Sequence, residues 1–253
     1  MSNILEVRCL NKKVKLGKDN ELHILKDVNL EIEAGEFISV MGPSGSGKST
    51  LLYNVSGMDR LTAGSVKLKG SEIGGLKEEE LAEIRLNNMG FVFQDINLLK
   101  NLSVIDNIMF PALIAKGADK MKINQKAKEL MEMTGIEKYA NNNITQASGG
   151  QLQRAGICRA LINDPDIIFA DEPTGALDSK SAVEIMSILA DINKKGTTIM
   201  LVTHDVKVAA KSERILYMDD GNIVAQKKML KYDSQHDDSK EREESIMKWL
   251  VEK

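Results

Sequence analysis

The stretch Gly42 to Ser49, GPSGSGKS, matches in full the G-x-x-x-x-G-K-[ST] pattern of phosphate-binding loops. It follows a short apolar run, FISVM, and precedes a helical pattern, so strand, loop and helix occur in the order that this chemistry requires. The glycines let backbone N–H groups converge on one anion at a helix N-terminus. Lys48 brings a positive charge to the β- and γ-phosphates, and the Ser49 hydroxyl can bind Mg²⁺. We therefore predict a nucleoside triphosphate site.

A second chemical pattern, IIFADE, is an apolar strand that ends in two acids. Asp171 at the strand end can hold Mg²⁺ through water. Glu172 can act as the general base on the water that attacks the γ-phosphate. Many nucleotide-binding proteins have the aspartate alone, so the adjacent glutamate favours a hydrolase over a protein that only binds the nucleotide.

A second helix start lies in Thr145 to Arg154, TQASGGQLQR, where small flexible residues precede polar ones. It is also shaped for an anion. Since the chain already has a better phosphate loop upstream, the residues alone do not say what this second helix start binds.

The composition is that of a globular protein, with 42% hydrophobic and 28% charged residues in a chain of 253. A net charge of −3 gives no field that attracts nucleic acid or acidic lipid. Cys9 and Cys158 match no metal or disulfide spacing, which favours reduced thiols and a cytoplasmic location. The N-terminal residues lack a signal-peptide pattern, and no apolar run approaches the roughly 18 residues that cross a bilayer. We expect any membrane association to depend on another protein.

The remaining patterns predict an α/β fold with a mostly parallel sheet, because short apolar strands alternate with helical segments. Between about 95 and 155 no strand pattern occurs, and INQKAKELMEMTG and GGQLQRAGICRALI both predict helices. This part is interpreted as a helical subdomain. RILYMDDGNIVAQ predicts a β-hairpin with Asp220 and Gly221 in a two-residue turn.

Over residues 3–226 the chain resembles the nucleotide-binding subunit of ABC transporters. The motifs that carry the resemblance are, in order, GPSGSGKS, FVFQ, SGGQLQR, IIFADE, GALD and LVTHD. The resemblance implies a P-loop NTPase (RecA-like) core with an N-terminal antiparallel β portion and an inserted α-helical subdomain. It also implies an ATP-binding domain at 1–226. Residues 227–253 lie beyond the resemblance, and their own pattern predicts a charged and amphipathic helical tail.

The resemblance implies that two copies pair head to tail around two ATP molecules. The phosphate-loop residues would then be Gly42, Pro43, Ser44, Gly45, Ser46, Gly47, Lys48, Ser49 and Thr50. The second helix start would close over the γ-phosphate held by the partner, through Ser148, Gly149, Gly150 and Gln151. The two helix starts would thus serve different ATP molecules in a two-fold dimer.

Further roles follow from the same motifs. Gln94 would contact Mg²⁺ and the attacking water, and would connect the core to the helical subdomain. Ser49 and Asp171 complete the implied Mg²⁺ site. Asp178 would lie in the loop that crosses the dimer interface, and His204 would contact the γ-phosphate beside Glu172. Without the resemblance, a lone histidine after a strand is more often a surface or capping residue.

ADEPTGALDSKSA is most similar to the branch of macrolide-export, lipoprotein-release and bacitracin-resistance ATPases. This implies a subunit that drives a separate permease at the inner face of the membrane, in antimicrobial-peptide resistance or export. A regulatory or mechanotransmitting ATPase that moves no substrate fits the same motifs. A DNA-repair ATPase of the same superfamily fits less well. Such proteins insert long coiled coils between the phosphate loop and the second helix start, and here that interval has no sustained heptads and no basic stripe. No nucleic acid partner is expected.

The chain departs from the family pattern at two places. Ala147 stands where leucine is usual, and no aromatic residue precedes Phe37, although the family normally stacks one on adenine in the loop that corresponds to 12–17. In the tail, Asp238 and Glu241 suit a helix start, and an apolar face includes Trp249. That face either covers the chain's own domain or contacts a second subunit or the permease.

The missing aromatic residue predicts weak selectivity for adenine. Base–aromatic stacking is worth about 1–3 kcal/mol, and Val14, Lys15 and Leu16 can replace it only with apolar or charged contacts. GTP is therefore expected to support hydrolysis within about tenfold of ATP, roughly 1.4 kcal/mol. Lys15→Tyr or Leu16→Tyr is expected to tighten ATP binding. ATP and GTP affinities of the three proteins provide the test, and a strong ATP preference with no gain from either tyrosine would contradict it.

Overall fold

The computed structural model describes residues 2–17, 20–232 and 238–253, and of Leu16 it describes the backbone alone. The strands in these ranges are β1 (Asn3–Leu16), β2 (Asn20–Glu33), β3 (Phe37–Met41), β4 (Ala63–Leu68), β5 (Ser71–Glu72), β6 (Met89–Phe93), β7 (Ile167–Asp171), β8 (Thr198–Val202), β9 (Arg214–Asp219) and β10 (Asn222–Lys228). The α-helices are α1 (Lys48–Val55), α2 (Glu78–Asn88), α3 (Val104–Ile114), α4 (Lys120–Met133), α5 (Gly149–Leu161), α6 (Ser179–Lys194), α7 (Val206–Ala209) and α8 (Ser239–Val251). In these ranges no helix combines the length and the apolar character needed to span a membrane.

The strands form two sheets. The larger sheet has the order β10-β9-β3-β8-β7-β6; β9 to β6 run parallel, and β10 pairs antiparallel with β9. Every residue of β3, β7 and β8 is buried, which explains why these strands are continuous apolar runs. The smaller sheet, with the order β2-β1-β4-β5, is antiparallel throughout. The predicted mostly parallel sheet and the N-terminal antiparallel portion are both confirmed.

Three helices, α3, α4 and α5, lie between β6 and β7, where a helical subdomain is predicted at about 95–155. They share a cluster of buried side chains that includes Ile108, Met131 and Cys158. Helix α5 continues to Leu161 and also packs against β6, so it joins this cluster to the central sheet. The division of the chain into a domain and a subdomain stays a prediction.

The turn of the hairpin formed by β9 and β10 is hydrogen-bonded to the phosphate loop. Asp220 and Gly221 form its turn with φ of 41° and 80°, as predicted from the Asp-Gly pair. The N–H of Gly221 donates to the carbonyl oxygen of Ser46 at 3.1 Å, and its carbonyl oxygen accepts from the N–H of Lys26 at 2.9 Å. One turn residue therefore joins the phosphate loop to strand β2.

The predicted tail, 227–253, contains the end of β10 and the helix α8, while 233–237 lie outside the described residues. Helix α8 begins after Asp238, near the predicted start. Its apolar face, with Ile246, Trp249 and Leu250, packs against a cluster that includes Met41. This face therefore covers the chain's own domain.

Substitution of Gly221 tests the support of the phosphate loop. Gly70 is a matched control, because its φ of +79° is close to the +80° of Gly221 but a Cβ there meets nothing within 4 Å. A Cβ on Gly221 would lie 2.3 Å from the carbonyl oxygen of Ile24. Gly70→Ala is expected to lower the free energy of unfolding by about 1–2 kcal/mol, and Gly221→Ala by about 1–3 kcal/mol more. Urea unfolding measures both, and equal losses would contradict the clash.

Candidate functional site

The phosphate loop joins β3 to α1, and its glycines are required by its surroundings. A Cβ on Gly42 would lie 2.1 Å from the carbonyl oxygen of Met218 in β9. Gly45 and Gly47 have φ of 81° and 98°, in the left-handed region that favours glycine. The loop thus lies directly on the neighbouring strand, and its backbone turns so that α1 begins at Lys48.

The loop encloses a polar group with no partner. Ser46 is 3% exposed, and its hydroxyl has no hydrogen bond within the described part of the chain. It lies 2.9 Å from the place that a Cβ of Gly42 would take, so it lies close to the backbone at the start of the loop. A buried hydroxyl of this kind favours a polar ligand in the loop, because an unmade hydrogen bond is costly. This observation fits the predicted phosphate.

Lys48 reaches back across the loop. Its Nζ donates to the carbonyl oxygens of Gly42 and Pro43 at 2.9 and 2.8 Å. Burial lowers the pKa of Lys48, and the charges of Glu172 and Asp171 oppose that shift. The ammonium group therefore lies against the loop carbonyls, where the charges of both acids act on it.

Asp171 connects strand β7 to helix α1. Its Oδ1 accepts from the Ser49 hydroxyl at 3.0 Å, and its Oδ2 accepts from the Tyr53 hydroxyl at 2.8 Å. Burial, then the hydrogen bond and the charge of Asp171, raise the pKa of Tyr53 to about 12, so the phenol remains a donor. The carboxylate is thus fixed beside the serine hydroxyl. Hydroxyl and carboxylate oxygens are the ligands that Mg²⁺ prefers, so this pair fits the predicted metal.

Glu172 is held by the end of the neighbouring strand, β8. Its N–H donates to the carbonyl oxygen of Val202 at 3.0 Å. Its Oε1 lies 2.8 Å from Nδ1 of His204, and its Oε2 accepts from the Thr203 hydroxyl at 3.4 Å. The histidine side chain is 75% exposed and the glutamate side chain 19%. The carboxylate therefore has a fixed position, whereas the imidazole borders solvent.

Gln94 lies directly after β6 and is exposed. Its amide group lies 3.1 Å from the place that a Cβ of Gly175 would take, and the N–H of Gly175 donates to the carbonyl oxygen of Glu172. Next to it, Gln153 of α5 donates to the carbonyl oxygen of Phe93 at 3.1 Å. Gln94 is thus near the turn that follows Glu172 and beside the junction between β6 and α5.

The second helix start forms a separate group. Ser148 is the N-cap of α5; its N–H donates to Oε1 of Gln151 at 2.8 Å, and its hydroxyl accepts from the N–H of Gln151 at 3.4 Å. A Cβ on Gly150 would lie 3.1 Å from the hydroxyl of Ser181 in α6, so this start packs on that helix. Within the described residues, no hydrogen bond or ion pair joins Ser148, Gly149, Gly150 or Gln151 to the phosphate loop. The second helix start therefore packs on α6, and within the described residues no direct bond links it to the phosphate loop of its own chain.

Asp178 caps α6 beside that group. Its carboxylate accepts from the N–H groups of Lys180 and Ser181, both at 3.0 Å, and from the Ser181 hydroxyl at 2.7 Å. These hydrogen bonds, with the Ser181 hydroxyl first, hold the pKa of Asp178 below its usual value. Ser181 thus links the cap of α6 to the first turn of α5.

Two residues of the site are missing from the sequence-based prediction. Tyr53 holds Asp171 and Thr203 holds Glu172. Tyr53 lies four positions after Ser49 on α1, hence on the same face, and this spacing could have indicated it. Thr203 adjoins His204, but no pattern distinguishes its hydroxyl from that of any other threonine at a strand end.

Comparisons with known proteins agree with this geometry. The family model described as ABC transporter matches residues 25–175. A bacitracin export ATP-binding protein of Halalkalibacterium halodurans is 44% identical over 224 residues, which cover 88% of each protein. A macrolide export ATP-binding/permease protein of Aggregatibacter actinomycetemcomitans is 43% identical over 231 residues, which cover 90% of this chain and 36% of that protein. The chain thus spans about a third of the length of its ATP-binding/permease relatives.

Solved structures give the same result. A dimeric bacterial ABC transporter cassette matches with a TM-score of 0.84 and 41% identity, over 90% of this chain and 100% of that one. A post-hydrolysis state of an ATP-binding cassette dimer with ADP and Pi matches with a TM-score of 0.83 and 40% identity, with the same coverage. The resemblance inferred from the motifs is confirmed: the chain belongs to the ABC transporter family and is one of its ATP-binding, ATP-hydrolysing cassettes.

Proposed function

We propose that this chain is the ATP-hydrolysing subunit of a transporter whose permease is a separate polypeptide, and that it serves antimicrobial-peptide resistance or export. The bacitracin export ATP-binding protein supports this, because the match covers 88% of both proteins. The chain would then be cytoplasmic and held at the inner face of the membrane by its permease. Affinity purification of the full chain from its own detergent-solubilised membranes tests this. An integral membrane protein is expected to co-purify with the chain, and its absence would contradict the proposal.

The proposed hydrolysis rests on the position of Glu172. Both of its carboxylate oxygens are held by residues after β8, while Lys48 lies close enough for its pKa to be affected by the Glu172 charge. In the proposed step, the carboxylate accepts a proton from water as the water oxygen attacks the γ-phosphorus. The bond from the γ-phosphorus to the bridging oxygen breaks, and ADP and phosphate result. Lys48 stabilises the charge on the β- and γ-phosphates.

Ser49, Asp171 and Gln94 would hold Mg²⁺, which supplies positive charge to the β- and γ-phosphates when bound. The described residues contain no cluster of three or more His, Cys, Asp or Glu side chains that could bind a metal by itself. Mg²⁺ is usually bound through one or two protein oxygens, waters and substrate phosphates, so the donor set suits it.

His204 orients the base. Nδ1 is directed at Glu172, and with a proton on each ring nitrogen Nε2 is also a donor. The same ring can therefore donate to the carboxylate and to the γ-phosphate. Gln94, near the turn after Glu172, would position the attacking water.

The second helix start would complete the site of a partner copy. Its serine and glycines present a hydroxyl and first-turn N–H groups at a helix N-terminus, where an anion is stabilised. Because no bond among the described residues links them to their own phosphate loop, a head-to-tail dimer gives both helix starts a role. The dimeric form of the related cassette supports this arrangement.

The motifs also fit a regulatory or mechanotransmitting ATPase, which would use the same site. A DNA-repair ATPase is less consistent with the fold, because the longest α-helix between the phosphate loop and Ser148 is α4, with 14 residues. A helix of this length is too short for the long coiled coil that DNA-repair ATPases insert in that interval.

Glu172→Gln tests the general base. Glutamine keeps the shape and can still bond to His204, but it cannot accept the proton. The variant is expected to bind ATP and to lose about 10²- to 10⁴-fold in kcat, and ATP should then hold it as a dimer. Steady-state hydrolysis and light scattering with ATP measure both effects. Glu83→Gln, at a surface ion pair with Lys116, is the matched control and should retain activity; near wild-type turnover by Glu172→Gln would exclude this role.

Mixing two inactive variants tests the shared site. Lys48→Ala disables a chain's own phosphate loop, and Ser148→Arg blocks the helix start that it offers to a partner. A mixed dimer contains one site with both defects and one intact site, so the mixture should regain part of the wild-type activity. Each variant alone is the control. If Ser148 served its own chain, every site would be defective and no activity would return.

A further inference from the structure

The geometry points to helix α8 as a strap that positions His204, with Arg242 as its anchoring residue. This inference rests on the proposed roles of Glu172 and His204 and goes beyond them, because no part of the nucleotide site includes α8. The strap acts through helix α7, the single turn of helix that follows His204 and Asp205. Three observations carry it: the contacts of Arg242, the contacts at the start of α8, and the apolar cluster beneath both.

Arg242 is a buried cation that donates to three backbone carbonyl oxygens. It is 5% exposed. Its Nε donates to Ala210 at 2.6 Å, its Nη2 to Ser212 at 2.7 Å and its Nη1 to Leu230 at 2.8 Å. Asp238 lies 3.6 Å from Nη1, one turn earlier on the helix. A planar guanidinium with several donors suits such a junction, whereas shorter or flexible side chains cannot make all three bonds.

The bond to Ala210 reaches the end of α7, since Ala210 is the C-cap of that helix. Lys211, the next residue, donates to the hydroxyls of Tyr232 and Ser239 at 2.6 and 3.2 Å. Ser239 is the first residue of α8. The C-terminal end of α7 is therefore tied to α8 at two successive residues.

The other end of α7 adjoins the catalytic site. Asp205 is its N-cap and accepts from the N–H of Lys207 at 2.8 Å, while its own N–H donates to the Thr203 hydroxyl at 3.0 Å. Thr203 in turn donates to Glu172. His204 thus lies on a short connection that is fixed at β8 and at α7. A helix of four residues has little stability of its own, so its position depends on the packing around it.

An apolar cluster joins α8 to the elements next to the phosphate loop and next to His204. Ile246 of α8 is fully buried against Ala209 of α7 and Met41 of β3. Met41 immediately precedes Gly42, where the phosphate loop begins. Trp249 packs edge-to-face on Tyr217 of β9, with ring centroids 6.3 Å apart. The same helix therefore shares a buried cluster with the strand that precedes the phosphate loop and with the helix that follows His204.

Arg242→Met tests the strap, because methionine keeps an apolar stem and removes every donor. Displacement of a catalytic group by a remote change lowers the chemical rate, so kcat is expected to fall by about tenfold. The KM for ATP should change by less than about twofold, since Lys48 and the loop glycines remain in place. Arg85→Met is the matched control, because Arg85 donates to the carbonyl oxygen of Gly57 on the other side of α1 and is part of no catalytic contact. It should retain kcat per folded molecule.

The imidazole NMR signals of the full-length protein supply a readout that loss of stability alone would not change. His204 touches Glu172, whereas Nε2 of His23 lies 2.8 Å from the Asn11 side chain in the other sheet. Arg242→Met is expected to shift the ring nitrogen signals of His204 and to leave those of His23 in place. Arg85→Met should move neither. If Arg242→Met fails to fold, Arg242→Lys, which keeps the charge and the stem, replaces it in both measurements.

A wild-type kcat for folded Arg242→Met would overturn the inference. So would a loss of kcat without a shift of the His204 signals, because α8 would then act by another route. Failure of the underlying proposal has a different signature. In that case His204→Ala would hydrolyse ATP at the wild-type rate, whatever the NMR signals of the Arg242 variants show.

Discussion

The parallel register of three buried strands is the constraint on which the site depends. Val40 of β3 pairs with Val202 of β8, and Asp171 of β7 pairs with the same Val202. The three strands therefore end at one level of the sheet, and their following loops emerge side by side. In open α/β sheets, ligands bind at the carboxyl ends of the strands for this reason. The phosphate loop, the two acids and His204 come together although they are far apart in the sequence.

Glu172 shows how that arrangement controls a single side chain. Its φ of 45° is left-handed, which costs a residue other than glycine about 1–3 kcal/mol. The backbone N–H bond to Val202 and the side-chain bonds to Thr203 and His204 hold this conformation against its cost. The left-handed φ ends the direction of β7 directly after Asp171. Asp171 faces Ser49 on α1, and Glu172 faces the end of β8.

Sequence patterns predict the parts of this site that have local causes. The phosphate loop, the strand ending in Asp171 and the Asp220-Gly221 turn all follow from short-range spacing and backbone preference. Helix α3 has no clear sequence pattern, because its sequence, VIDNIMFPALI, is apolar nearly throughout and contains Pro111. The contacts of Arg242 likewise cannot be predicted from the sequence. A charged residue in an amphipathic tail indicates a solvated face, and only tertiary packing shows that three carbonyl oxygens surround it.

The two helix starts differ in a way that gives each a separate part in the proposed dimer. The phosphate loop combines N–H groups with the ammonium of Lys48, so it can fix a triphosphate without a partner. The residues 148–151 include no cation, and the hydroxyl of Ser148 already accepts a long hydrogen bond of 3.4 Å from Gln151. That hydroxyl retains its own proton as a donor, and the first-turn N–H groups add only partial charges. The residues 148–151 are therefore suited to bind an anion that another group already holds, and not to bind one alone. In the proposed dimer, closure therefore follows nucleotide binding, because the weaker helix start gains its ligand only from the stronger one.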